Sequence, residues 1–447
     1  MPNTLTPDEL LNGYVNKVMR TDHTVVTSAR HALPTCAKAN PDMITDNLHQ
    51  ESSLSYYGWL VVAMAFLANL IAFGLVYAFS VFFKPLASEF GWSRAMTAAA
   101  FSIYAISHDV FAPITGWLTD RFGPRVSAAT GGLCLGASMI LMSRITSIWE
   151  LYFYYALLFG WGIAAIYAPM MATVSRWFTL KRGLAVGVTA AGLGVGSLVL
   201  SPLAAWLISS YGWRTAYVWV GVLAFAIFIP ITVFIKQAPR KSPGLEGKAE
   251  PSEGFSFGEA LRTRALWIFS LSWLFIALAL WAIMVHIVPL LTDREVPLTM
   301  AGFLAGLIGG GSLIGRIGAG FVSDRLDRKL VLLTAYIFQL MMLIWLLFSR
   351  EMWMFYVFAP LFGISFGGWA GVIAAFPADY FGSRATGAIF GFSMIIVGIG
   401  GAVGPYVGGY IFDMTHSYGY TIGMSILATF VGIVLASFLK PPARVGL

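Results

Sequence analysis

Two charges stand apart in this 447-residue chain, Asp109 and Arg316, each inside a long apolar stretch, whereas the other acidic and basic residues fall in tails, loops or the ends of such stretches. A charge deep in hydrocarbon costs about 2.5–3.5 kcal/mol on insertion scales, so each needs a reason to be there. The guanidinium of Arg316 offers a planar fork of donors that matches a carboxylate in bidentate fashion, which makes it the candidate anion holder. Its alternative is a long side chain that snorkels to the interface or pairs with another helix. His108 precedes Asp109 and carries an imidazole suited to accept a transported proton near ambient pH. Asp109 is the second candidate for that proton, since a carboxyl out of water with no cation beside it holds a proton well. For both, the plain alternative is a hydrogen bond that packs two helices together. His286, in the run WAIMVHIVPLL, and Asn69 and Tyr77, in another apolar run, complete the set of polar groups that could face a solute.

The elements that position these residues follow from composition. Hydrophobic residues make up 58% of the chain and charged residues 11%, with mean hydropathy +0.76, against about 25% charged in a soluble domain. The lipid bilayer is therefore the solvent for most of the chain. Runs long enough to cross it, roughly 20 residues each, occur over 57–83, 95–119, 126–143, 148–172, 183–209 and 215–235, then over 265–291, 300–323, 329–348, 352–376, 385–411 and 418–439. The runs are continuous rather than short and alternating, so helices and not a β-barrel must satisfy their backbones. The expected fold is an all-α membrane protein with twelve transmembrane helices. At about 1.5 Å per residue, Arg316 lies roughly 12 Å from Asp324 and Asp109 roughly 16 Å from Asp120 along their helices, near the middle of a core about 30 Å thick.

Organisation follows from the same count. Residues 1–55 are polar and read as a cytoplasmic tail, poorly ordered and unlike a signal peptide. Residues 56–235 form a first six-helix bundle, 236–264 a Pro-, Lys- and Arg-containing cytoplasmic linker, 265–439 a second bundle and 440–447 a short tail. Of the 28 Lys and Arg, 21 fall on the side of the termini and 6 on the other, with Arg316 between. Both termini are therefore expected in the cytoplasm, and the chain in the cell membrane as a multi-pass protein. That topology accounts for the net charge of +7, and no nucleic-acid partner is implied. Cys36 and Cys134 make no disulfide framework, and the absence of Cys/His clusters implies no metal and no cofactor. Without a P-loop or nucleophile elbow, enzymatic chemistry is not expected either.

The chain also repeats itself. GWLTDRFGPR at 116–125 and GFVSDRLDRK at 320–329 follow the second and eighth runs, and SYGW and SYGY open the sixth and twelfth. Equivalent loops on one side, six runs apart, describe two bundles in parallel topology around a central site. Gly116, Asp120, Arg121, Gly123 and Arg125 resemble the loop signature of the major facilitator superfamily. In that role Asp120, Arg121, Arg125, Asp324 and Arg325 are expected to latch one side shut through ion pairs and a helix N-terminus. Anchoring of the helix ends is their alternative.

A narrower resemblance lies in YGWLVVAMAFLANLIAFGLVYAFSVFFKPLASEFGWSRA and RWFTLKRGLAVGVTAAGLGVG, which are similar to the monocarboxylate transporter and oxalate/formate antiporter branch. That resemblance implies a small organic anion, a monocarboxylate, moved by alternating access in symport with a proton or in antiport with a counter-anion, and it places an arginine where SLIGRIGAGFVSDR has Arg316. The chain departs from the branch at Ser312, where an acidic residue is expected one turn before the arginine, and at Tyr77, where a lysine is expected. The repeat offers a replacement: subtracting 204 carries Ser312 onto His108, which should face the cavity if Arg316 does. Competing readings are a transporter of a sugar, drug or inorganic anion, and a membrane sensor that moves nothing. A twelve-helix unit of this kind can work as a monomer.

Overall fold

The computed structural model of the protein describes residues 41–178, 181–238 and 254–442. Cys36, most of the linker and the last five residues of the C-terminal tail lie outside these, as does residue 1–40 of the expected N-terminal tail. Residues 41–55 belong to a helix, Pro41–Phe90, with its proline at the first helical position, where a missing N–H costs nothing. Among the described residues the chain is helical throughout apart from one antiparallel bridge, Gly254 to Gly382.

Among the described residues, ten helices are long and apolar enough to cross a membrane. We label the spanning segments α1 (Tyr56–Phe90), α2 (Arg94–Phe122), α3 (Pro124–Met142), α4 (Ile148–Trp177), α5 (182–211), α6 (213–234), α7 (Arg264–Thr292), α8 (Leu298–Ser323), α9 (Arg328–Phe348), α10 (Met352–Phe381), α11 (Thr386–Thr415) and α12 (Tyr418–Ser437). Three of the twelve need comment. Helix α2 has the length but is diluted by Ser, Thr, His108 and Asp109, so apolarity alone does not select it. Helices α5 and α6 form one 53-residue stretch, Arg182–Phe234, broken at Gly212 with φ 80° and ψ 159°. Only a residue without Cβ adopts that backbone cheaply. In the second copy of this motif the break falls at His416, φ 51°, so that Ser417 caps α12 and Gly419 lies inside it.

Local chemistry sets the other boundaries. The Ser93 hydroxyl accepts from Met96 N–H at the start of α2, and Ser147 and Glu150 form a capping box at the start of α4. Gly123, at φ 86°, ends α2 one residue before Pro124 opens α3. Helices α4 and α10, equivalent in the repeat, are both irregular: α4 carries a π segment at Tyr154–Phe159 and a turn after Ala164, and α10 carries a 3₁₀ turn at Ile373–Ala375.

The first half (α1–α6) and the second (α7–α12) meet along three seams. On one, α5 lies close against α8 with only small side chains between them: a Cβ on Gly194 would press on the Gly309 carbonyl, one on Gly302 on Ala205 and the Ser201 carbonyl, and one on Gly306 on Pro202 and the Ser197 carbonyl. On another, α2 meets α11, where Gly409 packs on the Arg94 backbone. The third joins α1 to α7, with the Ser80 hydroxyl accepting from Val288 N–H at 3.2 Å. We call the side bearing the Asp120 and Asp324 loops the motif face and the other side the opposite face. Toward the motif face the same helices stand clear of neighbours, since a Cβ on Gly116, Gly183, Gly187, Gly318, Gly320, Gly387 or Gly391 would meet nothing within 4 Å.

Candidate functional site

Between the halves lies a cavity of about 250 Å³. The first half contributes Phe73 and Tyr77 from α1, Phe101, Tyr104, His108 and Asp109 from α2, Tyr167 from α4 and Leu193 from α5. The second contributes Trp273 and Trp281 from α7, Arg316 from α8, Phe366, Trp369 and Ile373 from α10, and Phe390, Met394 and Gly398 from α11. Each set follows a helical face. Phe101, Tyr104, Ala105 and His108 are spaced i, i+3, i+4, i+7, as are Phe366, Trp369, Ala370 and Ile373.

Four of the residues singled out from the sequence thus come together: Arg316, Tyr77, His108 and Asp109. The guanidinium carbon of Arg316 stands 5.4 Å from the centre of the Phe366 ring, and its Nε is buried without a hydrogen-bond partner. His108 Nδ1 and Asp109 Oδ1 are 2.9 Å apart, with side-chain exposures of 19% and 22%. The other carboxylate oxygen of Asp109 occupies the space a Cβ on Gly398 would need, so the acid reaches across to α11. Tyr77, 6% exposed, stacks on Trp281 from the other half with centroids 6.1 Å apart and planes 14° apart.

Asn69 and His286 do not join them. Asn69 is fully buried where α1 crosses α5 at Gly192, and its amide nitrogen donates to the Ala65 carbonyl at 3.0 Å. The expected contact of His286 with a solute is likewise replaced by packing. Its Nε2 lies 2.9 Å from the Pro405 carbonyl and its Nδ1 3.3 Å from the Tyr418 hydroxyl, with the Phe83 ring edge-on at 5.1 Å. Both rings, Phe83 and Tyr418, also flank the Arg94 guanidinium.

The motif residues differ from expectation too. Asp120 pairs with Arg176 of α4 at 2.7 Å, inside its own half. Arg121 lies over Trp117 and Phe122, Arg125 ties the start of α3 to the Ile235 carbonyl at 2.9 Å, and Arg325 covers Phe321. Asp324 ends α8 as its C-cap. In the second half the ion pair on this face joins Arg328, at the start of α9, to Asp379 of α10. These pairs brace each half and do not latch one half to the other.

A closure the sequence reading did not anticipate lies at the opposite face. Arg94 Nη2 donates to both oxygens of Asp293 at 3.0 Å, and Lys84 Nζ adds a contact at 2.7 Å. The Asp413 carboxylate of α11 accepts the backbone N–H groups of Arg94 and Ala95, both at 2.8 Å, capping the N-terminus of α2 from the other half. Free N–H groups and the helix dipole both favour an anion there. The signal was present as acids at two helix ends, but only the fold brings Asp293 and Asp413 to the same arginine.

A family model described as Major Facilitator Superfamily matches residues 65–405 and 287–446. The chain belongs to that superfamily. Membership makes it a multi-pass membrane transporter and not an enzyme. Within the superfamily it is 28% identical over 397 residues to the uncharacterized MFS-type transporter YcxA of Bacillus subtilis, covering 86% of this chain and 95% of that one. It is 27% identical over 401 residues to the oxalate:formate antiporter of Oxalobacter formigenes (88% and 94%) and 26% identical over 372 residues to monocarboxylate transporter 13 of Bos taurus (81% and 84%). Among solved structures, a bacterial homologue of the human lysosomal transporter Spinster, in an inward-facing and unoccupied conformation, matches with a TM-score of 0.72 at 16% identity, covering 87% of this chain and 99% of that one. It supports the fold.

Proposed function

We propose that this transporter moves a monocarboxylate-type anion by alternating access, with Arg316 as the group that holds the carboxylate and the His108–Asp109 pair as the carrier of a coupled proton. The observation that carries the reading is a buried guanidinium whose Nε has no hydrogen-bond partner, in a cavity at the junction of the two halves. A buried donor left unmatched costs about 1–3 kcal/mol or more when charged, so the site is completed by an acceptor that arrives from outside. Relatives named as monocarboxylate transporters and as an oxalate:formate antiporter support an anionic solute. The excess of Lys and Arg on the motif face supports its assignment to the cytoplasm and, with closure at the opposite face, an inward-facing state. Asp120 and Asp324 remain candidates for a latch in the reverse state, where the motif ends of α2, α5, α8 and α11 would come together.

The geometry suggests a cycle. Entry of a carboxylate satisfies Arg316; protonation of the His108–Asp109 pair removes the negative charge that Asp109 presents to it. A loaded, neutralised centre can then be buried from both sides as the halves rock, which a bare charge resists.

The test is uptake of labelled lactate, pyruvate, formate, oxalate and benzoate into proteoliposomes, with and without an imposed pH gradient. Arg316→Gln should weaken binding of the transported acid roughly 30- to 150-fold, the equivalent of about 2–3 kcal/mol for a charge-assisted hydrogen bond. Arg316→Lys, which keeps the charge and loses the fork, should fall between. Asp109→Asn and His108→Gln should leave binding measurable and remove stimulation by the gradient. Unchanged flux in Arg316→Gln would overturn the anion assignment, and unchanged gradient dependence in both other variants would overturn the proton assignment.

A further inference from the structure

Resting on the reading that Arg316 holds a carboxylate, we infer that the rest of the cavity is shaped for an aromatic ring, so that the cargo is an aryl or arylalkyl monocarboxylic acid rather than formate, oxalate or lactate.

The walls carry the inference. Ring after ring faces the same space from both halves: Phe73 meets Tyr167 edge-on at 5.1 Å, Phe101 lies 5.1 Å from Trp281, and Trp273 lies 5.7 Å from Phe390. Aromatic rings prefer to receive another ring offset or edge-on, and such contacts add to the area they bury. The volume agrees. At about 250 Å³ the cavity is close to the roughly 300–1,000 Å³ of pockets that take whole small organic ligands. Formate or oxalate would leave most of it wet against apolar walls, which wastes the burial that makes such pockets bind.

The polar groups narrow the class further. Two donors on the wall are buried and unmatched, Arg316 Nε and Trp273 Nε1, and Trp273 is only 5% exposed. Two donors call for an acceptor-bearing head, which one carboxylate supplies. A dicarboxylate would present its second charge to a wall whose other polar groups are His108, the phenols of Tyr77, Tyr104 and Tyr167, and the acid Asp109. The indole N–H of Trp369, by contrast, is already occupied by the Gln339 side chain at 2.9 Å, which fixes that ring as wall rather than as a ligand donor.

The experiment uses the full-length protein in detergent and in proteoliposomes. Binding of benzoate, phenylacetate, lactate, formate, oxalate, phenylalanine and benzyl alcohol is measured by calorimetry, and uptake of labelled phenylacetate and lactate by counterflow. Phenylacetate or benzoate should bind at least about tenfold tighter than lactate, a margin that apolar pocket contacts readily supply, and benzyl alcohol should bind far more weakly than either acid. Trp281→Leu, which keeps apolar bulk and loses the ring, should reduce the preference for phenylacetate over lactate about fivefold or more. Trp273→Phe, which keeps the ring and loses the donor, should weaken all the acids while preserving their order. Tighter binding of lactate, formate or oxalate, abolished by Arg316→Gln, would overturn the aromatic assignment and leave the carboxylate reading standing. Tighter binding of phenylalanine than phenylacetate would overturn the simple acid as cargo, by placing an ammonium opposite Asp109, and would leave the ring-shaped cavity standing. Benzyl alcohol binding as well as phenylacetate, or no acid binding at all to well-folded protein, would defeat the carboxylate reading itself.

Discussion

Glu89 and Asp293 occupy the same place in the two halves, at the ends of α1 and α7, four residues after Pro85 and Pro289. Glu89 stays within its half, accepting from the Trp213 indole at 2.5 Å and pairing with Arg214, both at the start of α6. Asp293 turns outward and binds Arg94 and Lys84 of the other half. Equal backbones have thus been given unequal partners. One acid braces a bundle and the other fastens two bundles together, so a symmetric scaffold is closed at one face and not, by the same device, at the other. Asp413 strengthens the difference by capping α2 across the seam.

The largest effect is expected from Arg94→Gln, which removes a side chain only 14% exposed from two oxygens of Asp293. At about 2 kcal/mol for a charge-assisted hydrogen bond, the closed population should fall roughly thirtyfold relative to open forms. A single cysteine at Met394, in a background with Cys36 and Cys134 replaced by serine, should then react faster with an impermeant thiol reagent added at the opposite face. Glu89→Gln should leave that rate within about twofold, because its partners are in the same half. Gly409→Val comes next: a Cβ there meets the Arg94 backbone at 2.7 Å, so the wedge should open the opposite face without touching a charge. Ser80→Ala follows, expected to cost about 1 kcal/mol for one neutral hydrogen bond across α1 and α7, with a correspondingly smaller rise in labelling.

The smallest effect tests the motif face. Asp120 and Arg176 are 65% and 46% exposed in their pair, and exposed pairs contribute about 0–1 kcal/mol. Asp120→Arg combined with Arg176→Asp should recover uptake lost in either single variant. Failure of that rescue would mean that Asp120 has a partner in another state of the cycle.

Much of this was legible before any fold was seen. The spans, the repeat and the two isolated charges follow from what hydrocarbon tolerates, and Arg316, Tyr77, His108 and Asp109 do meet at one cavity. The aromatic wall was harder to read. Phe101, Tyr104 and His108 keep strict helical spacing, but lipid-facing positions of a spanning helix are apolar too, so aromatic rings alone do not mark the inward face. His286 shows the converse: a polar side chain in a span needs a hydrogen bond, and a carbonyl of a neighbouring helix serves as well as a cargo. Arg94 and Asp293 escaped notice because charges at helix ends are ordinary in sequence, and only the meeting of α2, α7 and α11 makes them partners.

The close seam between α5 and α8 has a mechanical consequence. Gly194, Gly302, Gly306 and Gly309 meet only backbone and small side chains such as Ala205, Ser197 and Pro202, so few large interlocking side chains must be unmeshed for one helix to tilt on the other. Such a bearing turns easily in either sense and stores little preference of its own. Direction must then be imposed from the rims and from the cargo, which is why a handful of charges far from the pivot can decide which way the molecule faces.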